Sequence, residues 1–137
     1  MLRSAKSWRS IALCLSFALA FPVAAATSAD VKAALGPVRD SLMTMLKNAD
    51  KRGPDQQALV KSSADKVSNL IKELNVAADK KAKLDEMKKL WTDFNKVREA
   101  QVVPLILAGN TAEAEKLVTG EQKERLMNVI KLCDELK

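Results

Sequence analysis

Apolar residues recur at alternating spacings of four and three through most of this chain, and this repeat restricts the fold more than any other feature. Val31, Leu35, Val38, Leu42, Met45 and Ala49 form one such stripe. Val60, Ala64, Val67, Ile71 and Leu74 form a second, and Leu84, Met87, Trp91 and Phe94 a third. After a first patch at Ala114, Leu117 and Val118, interrupted by Gly120 and the polar stretch Glu121 to Arg125, the positions Leu126, Val129, Cys133 and Leu136 form a fourth. A 4-3-4-3 repeat puts every apolar side chain on one face of an α-helix, the face that packs in a bundle. No segment alternates apolar and polar residues as a half-buried strand does. The spacing predicts an all-α, antiparallel up-down-up-down four-helix bundle with helices over about 29–51, 55–75, 79–108 and 111–137.

The breaks between stripes carry turn chemistry. Lys51-Arg52-Gly53 sets cations and then glycine at the end of the first helix, and Pro54-Asp55 opens the second. Asn75 to Ala78 is the next turn. Gly109-Asn110 closes the third helix, with Asn110 and Glu113 at capping-box spacing for the fourth. Gly36-Pro37 interrupts the first stripe, so Pro37 either starts the helix or kinks it. Pro104 is expected to loosen the end of the third helix.

The only long apolar run precedes this pattern. Ile11 to Ala26 reads IALCLSFALAFPVAAA, after a stretch carrying Arg3, Lys6 and Arg9 and no acid. A basic start, an apolar core and the small-residue site Ala24-Ala25-Ala26 describe a secretory signal peptide over 1–26. As a helix the run spans about 24 Å, short of the ~30 Å hydrocarbon core, and Pro22 weakens it further. The expected product is a periplasmic domain over 27–137, with an uncleaved, membrane-anchored form as the alternative. Leu13 before Cys14 is too large for a lipoprotein site. Removing Arg3, Lys6 and Arg9 lowers the net charge from +6 to +3, so the balance does not call for nucleic acid. Cys133 is then the only cysteine, either buried and free or bridging two copies.

Absences narrow the function. The chain holds no His and no Tyr, which removes His-ligated zinc or haem, C-x-x-C-H haem attachment and Ser-His-Asp catalysis. Trp91 and Phe94 are the only aromatics after residue 26, too few for a single-stranded nucleic-acid platform. A non-enzymatic protein with no cofactor is expected.

The third stripe continues, at the same spacing, to Arg98, Gln101 and Leu105. It sets Arg98 and Gln101 at the core or its edge. A guanidinium there requires a partner: either an acid of a neighbouring helix, or the carboxylate or phosphate of a ligand. Arg39, next to Val38, is the third candidate ligand contact, facing the same groove. Met43, Met45, Met87 and Met127 offer soft sulfur for Cu(I), but Met43 and Met45 fall on different helix faces and methionine also fills cores. Lys80, Lys81, Lys83, Lys88 and Lys89 read as a solvated face, with Asp79–Lys83 and Asp85–Lys89 spaced as i, i+4 pairs.

The segment WTDFNKVREAQVVPLILAGNTAEAEKLVTGE carries a recognisable order: Trp91, Phe94, Arg98, Gly109, Glu113-Ala114 and Gly120-Glu121. It resembles the C-terminal half of the periplasmic four-helix-bundle sensor domain of methyl-accepting chemotaxis proteins. The resemblance implies small-ligand binding between helices or at a dimer interface, homodimerisation, and a membrane signalling protein as partner. Chemoreceptors carry a second membrane span and signalling helices after the fourth helix, whereas this sequence runs to CDELK without one. The expectation is a free-standing sensor-like module that binds a small ligand or a signalling partner. A periplasmic helical chaperone or stress adaptor is the alternative, to be distinguished by an exposed apolar concave surface.

Overall fold

A computed structural model describes residues 24–137. Most of the stretch read above as a signal peptide, with Cys14 and Pro22, lies outside the described residues. The described part is all-helical, with four helical segments. The first is α1 (Ser28–Lys47), followed by a short 3₁₀ turn at Ala49–Lys51. The second is α2 (Pro54–Glu73). The third begins with α3 (Lys81–Val97), runs through a π turn at Arg98–Val102 and ends in α4 (Val103–Leu107). The fourth is split into α5 (Thr111–Thr119) and α6 (Glu121–Glu135).

The stripes become the core. Every named member of the first three through Phe94 is buried except Ala49, which falls in the turn after α1. Val129, Cys133 and Leu136 are buried from the fourth stripe, and Leu126 packs against the cluster they join. α1 packs chiefly on α2 and α3 on α6; α1 also packs on α6, and α2 meets α3 along a thinner seam.

Local chemistry sets the helix ends. Thr27 caps α1 through a capping box: Asp30 N–H donates to Thr27 Oγ1, and Thr27 N–H donates to Asp30 Oδ2 at 2.8 Å. At the other end Arg52 folds back, donating from Nε to the Met45 carbonyl and from Nη2 to the Leu46 carbonyl. These bonds satisfy acceptors that a helix end leaves open. The helix therefore closes at Lys47 rather than Lys51. Pro37 neither starts nor ends α1, which is continuous through it. Pro37 and Ala33, whose carbonyl loses its i+4 donor, are both exposed, so the lost bond faces solvent. Gly109 has φ 82° and ends α4, with Asn110 N–H donating back to the Leu105 carbonyl.

Three expectations are corrected. The fourth segment is not one helix: Gly120, at φ −94° and ψ −112°, divides it. Asn110 precedes α5 but makes no side-chain cap, and Glu113 pairs instead with Lys116 at 2.8 Å. Lys83 and Lys89 do not take the acids four residues before them. Lys83 reaches Glu135 of α6 at 2.9 Å, and Lys89 pairs with Asp93 at 2.8 Å.

The core has two apolar clusters. One gathers Val31, Leu35, Val38, Val67, Met87, Trp91, Phe94 and Cys133, among others. The other gathers Leu42, Met45, Leu46, Val60, Val102, Ile106 and Ala114. Along each segment the change from one cluster to the other coincides with a buried or half-buried polar residue: Ser41, Ser63, Arg98 and Gln122. Each of these is hydrogen-bonded, as burial requires.

Candidate functional site

The three candidate residues do not form one site. Arg98 is buried at 2% exposure in the π turn. Its Nη1 donates to Asn95 Oδ1 at 2.7 Å and its Nη2 to Glu99 Oε1 at 2.6 Å. Burial lowers its pKa from the usual value; the Glu99 carboxylate, and more weakly Asp65 of α2, oppose that shift. Asn95 and Glu99 belong to its own helical segment, so the requirement for a partner is met from within the chain.

Gln101 is exposed, a correction to its expected place at the core or its edge. The π turn is the reason. Val103 N–H donates to the Arg98 carbonyl, five residues back, so the turn holds one residue more than an α-turn. Core positions after Phe94 therefore become Arg98, Val102 and Ile106 instead of Arg98, Gln101 and Leu105. Pro104 lies two residues beyond the π turn. It lacks an N–H and its ring crowds the carbonyl of Ala100; a wider turn relieves that crowding. The sequence signal that locates the shift is thus Pro104 together with the apolar pair Val102 and Ile106.

Arg39 is exposed and stands elsewhere, on the rim of a cleft of about 260 Å³ between α1, α5 and α6. α1 contributes Arg39, Leu42 and Met43, and α3 contributes Phe94. Val118 and Thr119 come from the end of α5, and Gln122, Lys123, Leu126, Met127 and Ile130 from α6. The two halves of the broken fourth segment thus supply one wall between them, on either side of Gly120. Gly120 is required there: a Cβ on it would lie 2.8 Å from the Lys116 carbonyl oxygen.

The cleft is apolar inside and cationic outside. Leu42, Phe94 and Gln122 are buried at its base. Gln122 is polar, yet each of its polar atoms already has a partner: Nε2 donates to the Phe94 carbonyl at 2.9 Å, and Oε1 accepts from Arg125 Nη1 at 3.0 Å. Arg39 and Lys123 are exposed, and neither forms an ion pair among the described residues. Among the described residues no acid lines the cleft. Met127 is 55% exposed at its edge. Gln122 and the cleft are not apparent from sequence, where Glu121 to Arg125 reads as a polar interruption.

A second hollow of about 370 Å³ follows the thin α2–α3 seam, lined by Ser68, Ile71, Lys72, Lys88, Trp91, Thr92 and Asn95. Trp91 Nε1 donates to Ser68 Oγ at 2.9 Å across it, and Trp91 stacks on Phe94 with centroids 5.1 Å apart. Met45 is core and Met43 is cleft wall, so the two sulfurs serve different surroundings. Cys133 is free and buried, with its thiol pKa pushed up to about 11 chiefly by burial and then by Asp134. Among the described residues no group of His, Cys, Asp or Glu gathers at metal-binding distance, and no helix is long and apolar enough to cross a membrane.

Comparison with known proteins finds no similarity: no family model, no curated protein and no solved structure matches this chain.

Proposed function

We propose that this protein is an exported, non-enzymatic, sensor-like module of the cell envelope: an antiparallel up-down-up-down four-helix bundle that binds a small ligand in the α1–α5–α6 cleft. The observation that carries the reading is the cleft's pairing of an apolar base, where both polar atoms of Gln122 are engaged, with two cations at its rim that have no ion partner among the described residues. Ligand sites commonly combine apolar walls with a few polar groups that fix orientation, and between helices of bundles they are common. The antiparallel arrangement is supported by contacts between opposite ends of segments. Lys32 near the start of α1 pairs with Asp134 near the end of α6 at 2.8 Å, and Lys83 near the start of α3 with Glu135.

Export is supported by the position of Thr27. The proposed cleavage after Ala26 falls immediately before the α1 N-cap, so removing the leader leaves the helix whole. The released amino group would sit beside Asp30, which Thr27 N–H already contacts. Homodimerisation and a membrane signalling partner are drawn from the chemoreceptor resemblance alone.

The test is a thermal-shift screen of organic acids, amino acids and aromatics on the purified protein, with NMR mapping of each hit. A ligand of the native state raises Tm and moves the resonances of Phe94, Val118 and Leu126. Failure of every compound, with a protein captured by cross-linking instead, would favour the chaperone or adaptor reading. N-terminal sequencing of the exported protein decides between a start at Thr27 and a retained anchor.

A further inference from the structure

We infer that the cleft takes an anionic amphiphile, a straight-chain carboxylate of medium length, with its hydrocarbon chain inside and its carboxylate at Arg39 and Lys123. The inference rests on reading the cleft as a ligand site and adds the class of ligand. Three observations lead to it.

The base of the cleft offers little to a polar ligand group. Gln122 is the one polar side chain buried there, and both ends of its amide are engaged, by the Phe94 carbonyl and by Arg125. A polar ligand group placed at that depth would lose its hydration for, at most, the second N–H of the Gln122 amide. The part of a ligand that enters is therefore hydrocarbon.

The rim selects charge. Arg39 and Lys123 are exposed, lack ion partners among the described residues, and face a cleft that no carboxylate lines. A cationic head would be repelled and a neutral head would gain little. A carboxylate gains charge-assisted hydrogen bonds, bidentate ones from a guanidinium included.

Size and adaptability select the chain. At about 30 Å³ for a water-sized group, 260 Å³ holds about nine such groups. That corresponds to a chain of about six to ten carbons and lies below the ~300–1,000 Å³ of sites for drug-sized molecules. Met43 and Met127 line the cleft, and their unbranched thioethers adapt to a flexible chain better than branched walls do.

The experiment compares hexanoate, octanoate, octanol and octylammonium, each below its micellar concentration, by calorimetry and by methyl shifts of Val118, Leu126 and Ile130. Octanoate is expected to bind at least tenfold more tightly than octylammonium or octanol. Two added methylenes should strengthen binding over hexanoate by about fifteenfold, at about fourfold per methylene. The double variant Arg39→Gln/Lys123→Gln, altered only at exposed positions, should keep its Tm and lose about tenfold in octanoate affinity while octanol is unaffected. Equal binding of octanol or octylammonium in the cleft would overturn the anionic class and leave the ligand-site reading standing. A different compound moving the same methyls while octanoate does not would have the same consequence. No movement of these methyls by any compound would overturn both. Methyl shifts that depend on protein concentration alone would assign the cleft to a second copy of the chain and overturn the proposal.

Discussion

Gln122 of α6 donates its side-chain amide to the backbone carbonyl of Phe94 in α3, at 2.9 Å and across 28 positions of sequence. The bond ties the fourth segment to the third one turn before the π turn begins. It lies fully inside the protein, with Gln122 at 1% exposure, and its carbonyl oxygen in turn holds Arg125.

Replacing Gln122 by Ala should therefore be costly. The variant loses a buried side chain, gives up the bond to the Phe94 carbonyl and leaves Arg125 without that acceptor. A loss of about 2–3 kcal/mol is expected from the hydrogen-bond and cavity contributions together. Urea denaturation should show a lower midpoint at unchanged slope; a change below about 0.5 kcal/mol would mean the bond is replaced by solvent.

Glycine and proline positions should respond in opposite directions. Gly120→Ala places a methyl group 2.8 Å from the Lys116 carbonyl, and a shift of that backbone should cost about 1–3 kcal/mol. Pro37→Ala acts at an exposed position inside a continuous helix. It restores a donor for the Ala33 carbonyl and should raise stability by about 1–3 kcal/mol. Paired thermal melts test both signs.

Arg98 should behave as a structural residue. Arg98→Ala empties a core position and should destabilise by about 2–4 kcal/mol. Arg98→Met fills the same space without a charge and should recover most of that loss, since buried ionic groups are often replaceable by apolar ones of similar volume. Neither variant should alter ligand affinity at the cleft, because Arg98 does not line it. Loss of binding in the stable Met variant would instead put Arg98 in contact with ligand.

Acid should weaken the fold through four carboxylates. Asp30 is held below the ordinary 3.8 by its bonds to Thr27, Asp93 by Lys89, and Asp134 by Lys32 and then Lys137. Glu135 is held below 4.5, first by Lys83. A depressed folded-state pKa gives stability that is present above the unfolded value and lost as pH falls through the folded one. Tm should thus decline below about pH 4, and added salt should shrink the effect because none of the four groups is buried. Asp134→Asn should flatten part of that decline. At the other extreme, the Cys133 thiol, raised from 9.0 to about 11, resists ionisation in the fold. Stability that depends on it is whole below pH 9 and declines between 9 and 11. At about pH 8 the thiol should react with a disulfide reagent only when the protein opens.

The helical segments were readable because the 4-3-4-3 stripes map directly onto burial: Val31 to Met45, Val60 to Leu74 and Leu84 to Phe94 are core as their spacing requires. Spacing misleads where backbone bonding changes. Gln101 and Leu105 follow Phe94 at α-helical spacing, but one i+5 bond at Arg98 rotates the rod and brings Val102 and Ile106 inward. The cleft is hidden from sequence for a related reason. The interruption of the fourth stripe at Gly120 is legible, but not that it parts two helices around a cleft; and Gln122, polar by type, is buried because a carbonyl 28 residues away accepts its amide.

Periodicity and composition alone establish that the region after residue 26 is helical, which face is buried along the stripes Val31 to Met45, Val60 to Leu74, Leu84 to Phe94 and Val129 to Leu136, and that the sequence holds no His. All of these are local properties of the chain. The packing of the segments settles the rest: that Arg98 is satisfied from within its own segment, that Arg39 belongs to a different surface, and that an apolar cleft opens between α1, α5 and α6. Such features depend on which groups from distant positions meet, and side-chain spacing along one helix carries no information about its partner.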